Sequence, residues 1–168
     1  MVGVGSARLD AGSRRHERTS PLRRAPRLKP VTHTLIDTVR APTDQVFALL
    51  TDPARIPSWL PGCVSVQSNG PFRKGSRLQV RFGERLTEFE IVDFTPPATF
   101  GWFERGQRHG WRTFFRLDRT GEATALTVRA IWMPHSFLAA LRGRFLEKRD
   151  VRRQLQLILA NVRRVMSG

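Results

Sequence analysis

Between Cys63 and Met133 apolar and polar residues alternate with a period of two, the pattern of strands that bury one face and solvate the other. Six strands are predicted there: Cys63–Ser68, Arg77–Phe82, Leu86–Phe94, Thr99–Arg105, Gly110–Leu117 and Ala123–Met133. They are separated by Asn69-Gly70-Pro71, Gly83, Pro96-Pro97, Gly106 and Thr120-Gly121, residue types that set turns through fixed or unusual backbone angles. Connections this short favour antiparallel neighbours, so a meander is expected. Upstream, the β-branched run Val31–Val39 predicts a further strand, making seven.

Between that strand and the meander lie two short helical stretches. Thr43 is placed to cap the first, with Val46, Phe47, Leu49 and Leu50 on its apolar side, and Pro53 to Trp59 forms the second. At the other end, Ser136 to Met166 reads as one long helix capped by Ser136, with Val151, Leu155, Ile158, Val162 and Val165 on one stripe. Phe137, Leu138, Leu141 and Phe145 continue that spacing until Lys148 interrupts it, where a bend is expected. The far side carries Arg142, Arg144, Arg149, Arg152, Arg153, Arg163 and Arg164, either a solvated face or a surface for anions.

Alternation sorts the sheet residues onto two faces. Leu78, Val80 and Phe82 share one side, as do Phe89 and Ile91, then Trp111, Thr113, Phe115 and Leu117, then Leu126, Val128, Ala130 and Trp132. The long helix is expected to lie on this apolar, aromatic face. The expected fold class is therefore α+β, a seven-stranded antiparallel sheet covered by one long C-terminal helix, with two short helices after the first strand.

Composition limits the partners. The chain has 168 residues and is 40% hydrophobic, enough for one domain with a real core. Its net charge of +15 is concentrated at the ends. Residues 1–30 hold 8 Lys or Arg against 2 acids, residues 138–168 the same, and residues 31–137 a nearly balanced 13 against 10. A basic tail and one basic helix face suit weak contact with an anionic membrane or an acidic protein, but no motif specific for nucleic acid is present. Residues 1–30, rich in Arg, Gly, Ser and Pro, are expected to be disordered, leaving 31–168 as the folded domain. No stretch approaches the ~20 apolar residues of a membrane span, and no secretory signal is evident, so a cytoplasmic location is expected. A lone Cys63 makes no internal disulfide and no cysteine-cluster metal site.

Particular residues carry a family resemblance. Ala41-Pro42, then Val46-Phe47-Ala48-Leu49-Leu50-Thr51-Asp52-Pro53 and Trp59, resemble the opening motif of the polyketide cyclase/dehydratase and lipid-transport proteins, the SRPBCC or START-like superfamily. Asp93 to Pro97 before Phe100-Gly101-Trp102, Phe115 to Leu117 before Gly121, Thr124, Leu126, and the closing Leu159-Ala160-Asn161-Val162 are similar to the same pattern. The resemblance runs from about Val31 to Met166. It implies a helix-grip fold: a curved sheet wrapped around the long helix, with a cavity between them for an apolar or aromatic molecule. Such families include pollen allergens, sterol and lipid carriers, aromatase/cyclases, chaperone activators and ring-hydroxylase subunits, so the fold does not choose an activity.

The cavity implied by this resemblance would be walled by Phe82, Phe89, Trp102, Trp111, Thr113, Phe115 and Trp132 from the sheet and Leu155 from the helix, with Trp59 at its entrance. Polar candidates inside are Cys63, Thr87, Thr113 and His135; the carboxylates Glu88, Glu90, Asp93, Glu104 and Asp118 are expected on the outer face or at strand ends. A one-residue slip of Leu86–Phe94 would instead bring Glu88 and Glu90 inward beside Arg81 or Arg112, while expelling Phe89 and Ile91 at about 2 kcal/mol each. His16, His33, His109 and His135 form no His-x-x-x-His pair, so neither metal nor cofactor is expected. No catalytic residue is identified. The leading expectation is a binding or carrier protein for a hydrophobic small molecule; the alternatives are a polyketide cyclase or dehydratase, and an interaction module using the basic helix face.

Overall fold

A computed structural model of the chain describes residues 30–105, 111–132 and 148–168. Its elements are β1 (Val31–Val39), α1 (Thr43–Thr51), α2 (Ile56–Trp59), β2 (Cys63–Ser68), β3 (Arg77–Phe82), β4 (Arg85–Thr95), β5 (Thr99–Glu104), β6 (Arg112–Thr120), β7 (Ala123–Trp132) and α3 (Lys148–Ser167). The strands form one antiparallel sheet in the order β1-β7-β6-β5-β4-β3-β2. Only β1 joins out of sequence, because α1 and α2 give it the length to cross to β7. This curved sheet and the helix that it grips make the helix-grip fold. The tail before Pro30, Ser136, the apolar residues Phe137 to Phe145, and both His109 and His135 lie outside the described residues.

Pairing follows the expected faces. Leu78 opposes Phe89, Trp102 opposes Thr113, Phe115 opposes Val128, and Leu35 opposes Val128 from the other side, all on the inner surface. The slipped register of β4 is not adopted. Glu88 and Glu90 point outward, where Arg105 pairs with both and Arg77 reaches Glu88. One bulge, between Ile91 and Asp93, resets the phase of β4. Past it Phe94 turns inward, within 5.6 Å of the Phe47 ring of α1.

The outer surface explains one glycine. At Gly101 an added Cβ would lie 2.5 Å from Phe114 Cδ1 and 3.3 Å from Asp93 Cβ. The Phe114 ring occupies that space and takes the Arg129 guanidinium at 5.5 Å from its centre. Gly101→Ala is therefore expected to cost about 1–3 kcal/mol by overpacking. Urea unfolding checks it, and the cost should largely vanish in a Phe114→Ala background; a cost unchanged there would exclude the ring as the cause.

α3 closes the core. Leu155, Ile158, Leu159 and Val162 are buried against the sheet at spacings of three and four, each contributing about 1.5–3 kcal/mol. Val151 and Val165 flank them, half-buried. The side chain of Asn161 donates to the Trp59 carbonyl at 3.2 Å, satisfying the free C-terminal end of α2, and Arg164 reaches the Ser58 carbonyl at 3.3 Å. Arg163 bonds Asp37 of β1 at 3.0 Å. Of the predicted basic face, Arg163 and Arg164 thus hold the helix to the body, while Arg152 and Arg153 are exposed.

Two local expectations are corrected. Thr43 is the first residue of α1 and not its cap: Pro42 holds the capping position, with no side-chain bond to the helix. The Thr43 hydroxyl instead meets that of the fully buried Thr124 at 3.2 Å, and Thr124 donates to the Ala41 carbonyl at 2.8 Å, tying β7 to the start of α1. The second helix is only Ile56–Trp59, because Asp52 and Pro53 precede it in a turn stabilised by the Asp52 side chain bonding the Ala54 amide. Strand ends also move, β6 running on to Thr120 before the positive-φ Gly121 turns the chain.

Candidate functional site

Six aromatic residues fill one part of the space between sheet and helices. Trp59 is stacked on Trp102 at 5.7 Å and meets Phe115 edge-on at 5.5 Å. Phe100 stacks on Phe115 at 5.4 Å and on Phe72 at 5.9 Å, and Phe89 lies 5.1 Å from Trp102. Such contacts add directional stabilisation to the burial of large rings. Trp59 is wholly buried and its indole N–H donates to the Leu49 carbonyl at 3.2 Å. The expectation that Trp59 stands at a cavity entrance is therefore corrected: α2 presses the ring into the core, and Asn161 clamps that helix from outside.

Beyond this cluster the packing leaves a cavity of about 240 Å³ between sheet and α3. Phe82, Phe89, Trp102, Trp111, Thr113 and Ala130 form its sheet wall. Val151, Leu155 and Ile158 come from α3, with Asp150 and Gln154 on the adjoining turn of the same face, and Leu60-Pro61 from the loop after α2. Of the nine residues expected around a cavity, Phe82, Phe89, Trp102, Trp111, Thr113 and Leu155 meet at this one. Trp59, Phe115 and Trp132 do not line it: the first two belong to the aromatic cluster, and Trp132 stacks behind Trp111 at 6.1 Å. Larger hollows of about 860 and 480 Å³ lie elsewhere. Their walls carry Arg40, Asp44, Arg119 and Glu122 in the turns, or Asp93, Arg116 and Asp118 on the outer sheet face. Both carry charged groups in their walls, whereas the lining of the smaller cavity, among the described residues, is mainly aromatic and aliphatic side chains from both the sheet and α3.

The polar groups of the wall differ from those expected. Thr113 is there, but Thr87 is buried opposite Val80 and Cys63 is half-buried opposite Phe82, neither on the lining. Burial pushes the Cys63 thiol up, against a smaller opposite effect from a backbone hydrogen bond with Ser65, so it stays protonated and apolar in character. Glu104, expected outside or at a strand end, is inside. The alternation that turns Phe100 and Trp102 inward carries Glu104 with them, and its place at the end of β5 does not change the phase. It sits opposite Phe89 on one side, while its amide bonds the Trp111 carbonyl on the other at 2.9 Å.

Burial raises the carboxyl of Glu104 above the ordinary glutamate range, partly offset by the positive charge of Arg85. The folded protein therefore holds a proton there more tightly than the unfolded chain does. This group favours folding most at low pH, and that contribution is lost as pH rises through the raised value. Glu104→Gln is accordingly expected to melt higher than the parent at pH 7, with the gap closing as pH falls below the ordinary glutamate range. Melting curves between pH 3.5 and 8 test this; a gap independent of pH would show that the carboxyl is not strained by burial.

Among the described residues no three His, Cys, Asp or Glu side chains converge as metal ligands, and no helix is long and apolar enough to cross a membrane. The sequence profile of the family described as polyketide cyclase / dehydrase and lipid transport matches residues 7–167. The chain belongs to this polyketide cyclase / dehydrase and lipid transport family. No curated protein matches it. Solved structures share its fold at low identity. DynU16, from the dynemicin biosynthetic locus, is 19% identical with a TM-score of 0.65, over 82% of this chain and 47% of that one. The di-domain ARO/CYC StfQ of the steffimycin biosynthetic pathway is 13% identical with a TM-score of 0.66, over 81% and 50%. Ara h 8.0201 is 14% identical with a TM-score of 0.62, over 82% and 98%. The chain thus spans about half the length of DynU16 and StfQ. These likenesses place the polyketide cyclase / dehydrase and lipid transport member in the helix-grip fold.

Proposed function

We propose that this protein binds an apolar, ring-bearing small molecule in the cavity between the sheet and α3 and carries it without altering it. The observation that carries this reading is the wall itself: Phe82, Phe89, Trp102 and Trp111 face Leu155 and Ile158 across about 240 Å³. That volume is below the roughly 300 Å³ at which pockets for drug-sized ligands begin. It favours a body of one or two fused rings over a long lipid chain. Wall rings offer such a ligand area and stacking at little entropic cost.

Native mass spectrometry of the protein purified from its own host, before and after denaturation, tests the reading. A small apolar molecule released on denaturation is the expected result. A protein that arrives empty and also takes up no hydrophobic dye would count against it.

One observation favours a second reading, cyclase- or dehydratase-type chemistry. Glu104 is a titratable group with raised proton affinity on the wall of the cavity, the kind of residue from which a general acid or base is made. StfQ is an ARO/CYC protein with the same fold. Glu104→Gln separates the two: a carrier keeps its ligand unchanged in mass, whereas an enzyme keeps binding and loses turnover.

A further inference from the structure

The cavity lies where two short side chains meet. One row across the inner face of the sheet runs from Trp102 on β5 to Thr113 on β6 and Ala130 on β7. Inner positions on one strand are two residues apart, and those flanking this pair are larger: Trp111 and Phe115 on β6, Val128 and Trp132 on β7. The neighbouring rows close by themselves. On one side Phe115 opposes Val128 and stacks on Phe100, and on the other Trp111 stacks on Trp132 at 6.1 Å. Thr113 and Ala130 reach less far inward than these neighbours, which leaves a step in the side-chain layer. Both line the cavity of about 240 Å³, with Trp102 and Trp111 at its borders and Leu155 and Ile158 of α3 opposite. Close-packed interiors hold few voids of this size, and the two small residues are the local cause of this one. The side chain of a strand residue stands roughly perpendicular to the sheet, so a larger residue at position 130 must grow into the cavity.

We infer that Thr113 and Ala130 form the floor on which the ring body of the ligand sits, and that Ala130 is the specificity-determining residue for its size. The class taken is an aromatic of one or two rings, lying against the Trp102 indole, and a third fused ring is excluded. This rests on the reading of the cavity as a ligand site.

Calorimetric titration of the full chain at pH 7 with 2-naphthol and 9-phenanthrol, which share one hydroxyl and differ by one ring, tests the assignment. The parent is expected to bind the naphthol at least about tenfold more tightly, since a single methylene in an apolar pocket is worth about 10–200-fold. Ala130→Leu should weaken the naphthol by at least about tenfold for the same reason. Its melting temperature should be no lower than the parent's, because the added side chain occupies vacant space. Ala130→Val should fall between the two, and serves as the variant test if Ala130→Leu does not fold. Thr113→Ala lowers the floor and should narrow the gap between naphthol and phenanthrol. Ala125→Leu, the same change on the outer face of β7 opposite Thr38, should bind as the parent does. If the parent binds the naphthol and Ala130→Leu binds it equally, the floor is overturned and the ligand site stands. A parent that takes the phenanthrol as tightly as the naphthol overturns the size limit. Equal weakening by Ala125→Leu and Ala130→Leu overturns the assignment to residue 130. Failure of both compounds with the parent removes the ligand site and its floor together.

Discussion

Replacing Trp59 with alanine is expected to remove about 3–5 kcal/mol of stability, a large part of the 5–15 kcal/mol that a typical domain has in total. Three losses coincide. The indole is wholly buried, it joins Trp102 and Phe115 at 5.7 and 5.5 Å, and its N–H satisfies the Leu49 carbonyl within the core. The void also lies beneath α2, which α3 clamps through Asn161, so the surroundings have little freedom to collapse into it. Urea unfolding followed by circular dichroism measures the change. Trp59→Phe, which restores a ring but not the donor, should recover more than half. A loss under about 1 kcal/mol for the alanine variant, typical of an exposed site, would contradict the burial described here.

The second large effect is expected at Leu155, where truncation to alanine should cost about 2–5 kcal/mol. This residue is both a buried member of the α3 stripe and part of the cavity wall. The variant therefore has two readouts. Its stability falls because the helix loses contact with the sheet, while the cavity grows and should admit larger apolar dyes than the parent takes up. A neutral substitution would mean that the stripe does not face the sheet. A destabilised variant with unchanged dye preference would show that the space beside Leu155 closes when vacated.

These expectations bear on function through the same geometry. The aromatic cluster and the cavity share Phe89 and Trp102, so the rigidity of one sets the shape of the other. A ligand stacking on Trp102 meets a ring held from behind by Trp59 and from the side by Phe100. Little conformational entropy is then lost at the wall on binding.

Much of this architecture was legible along the chain because its information is local. Period-two alternation turned Leu78, Val80, Phe89, Phe115, Leu126 and Val128 inward, and the three-and-four spacing of Val151 to Val165 marked the buried side of α3. Turn residues placed the strand boundaries within a few positions, and the parity of β5 already contained the inward direction of Glu104. Other features depend on which surfaces meet. The bulge beside Val92 changes the phase partway along β4, and Thr43 is drawn from capping by a hydroxyl on β7. Trp59 lies in the core because α3 and Asn161 hold α2 down, an arrangement more than 100 residues apart in sequence. The size of the cavity belongs to this second kind. Periodicity states which side chains point inward, but how much space they leave is decided by the packing of rings from α2, β4, β5 and β6 against a helix that none of them adjoins in the chain.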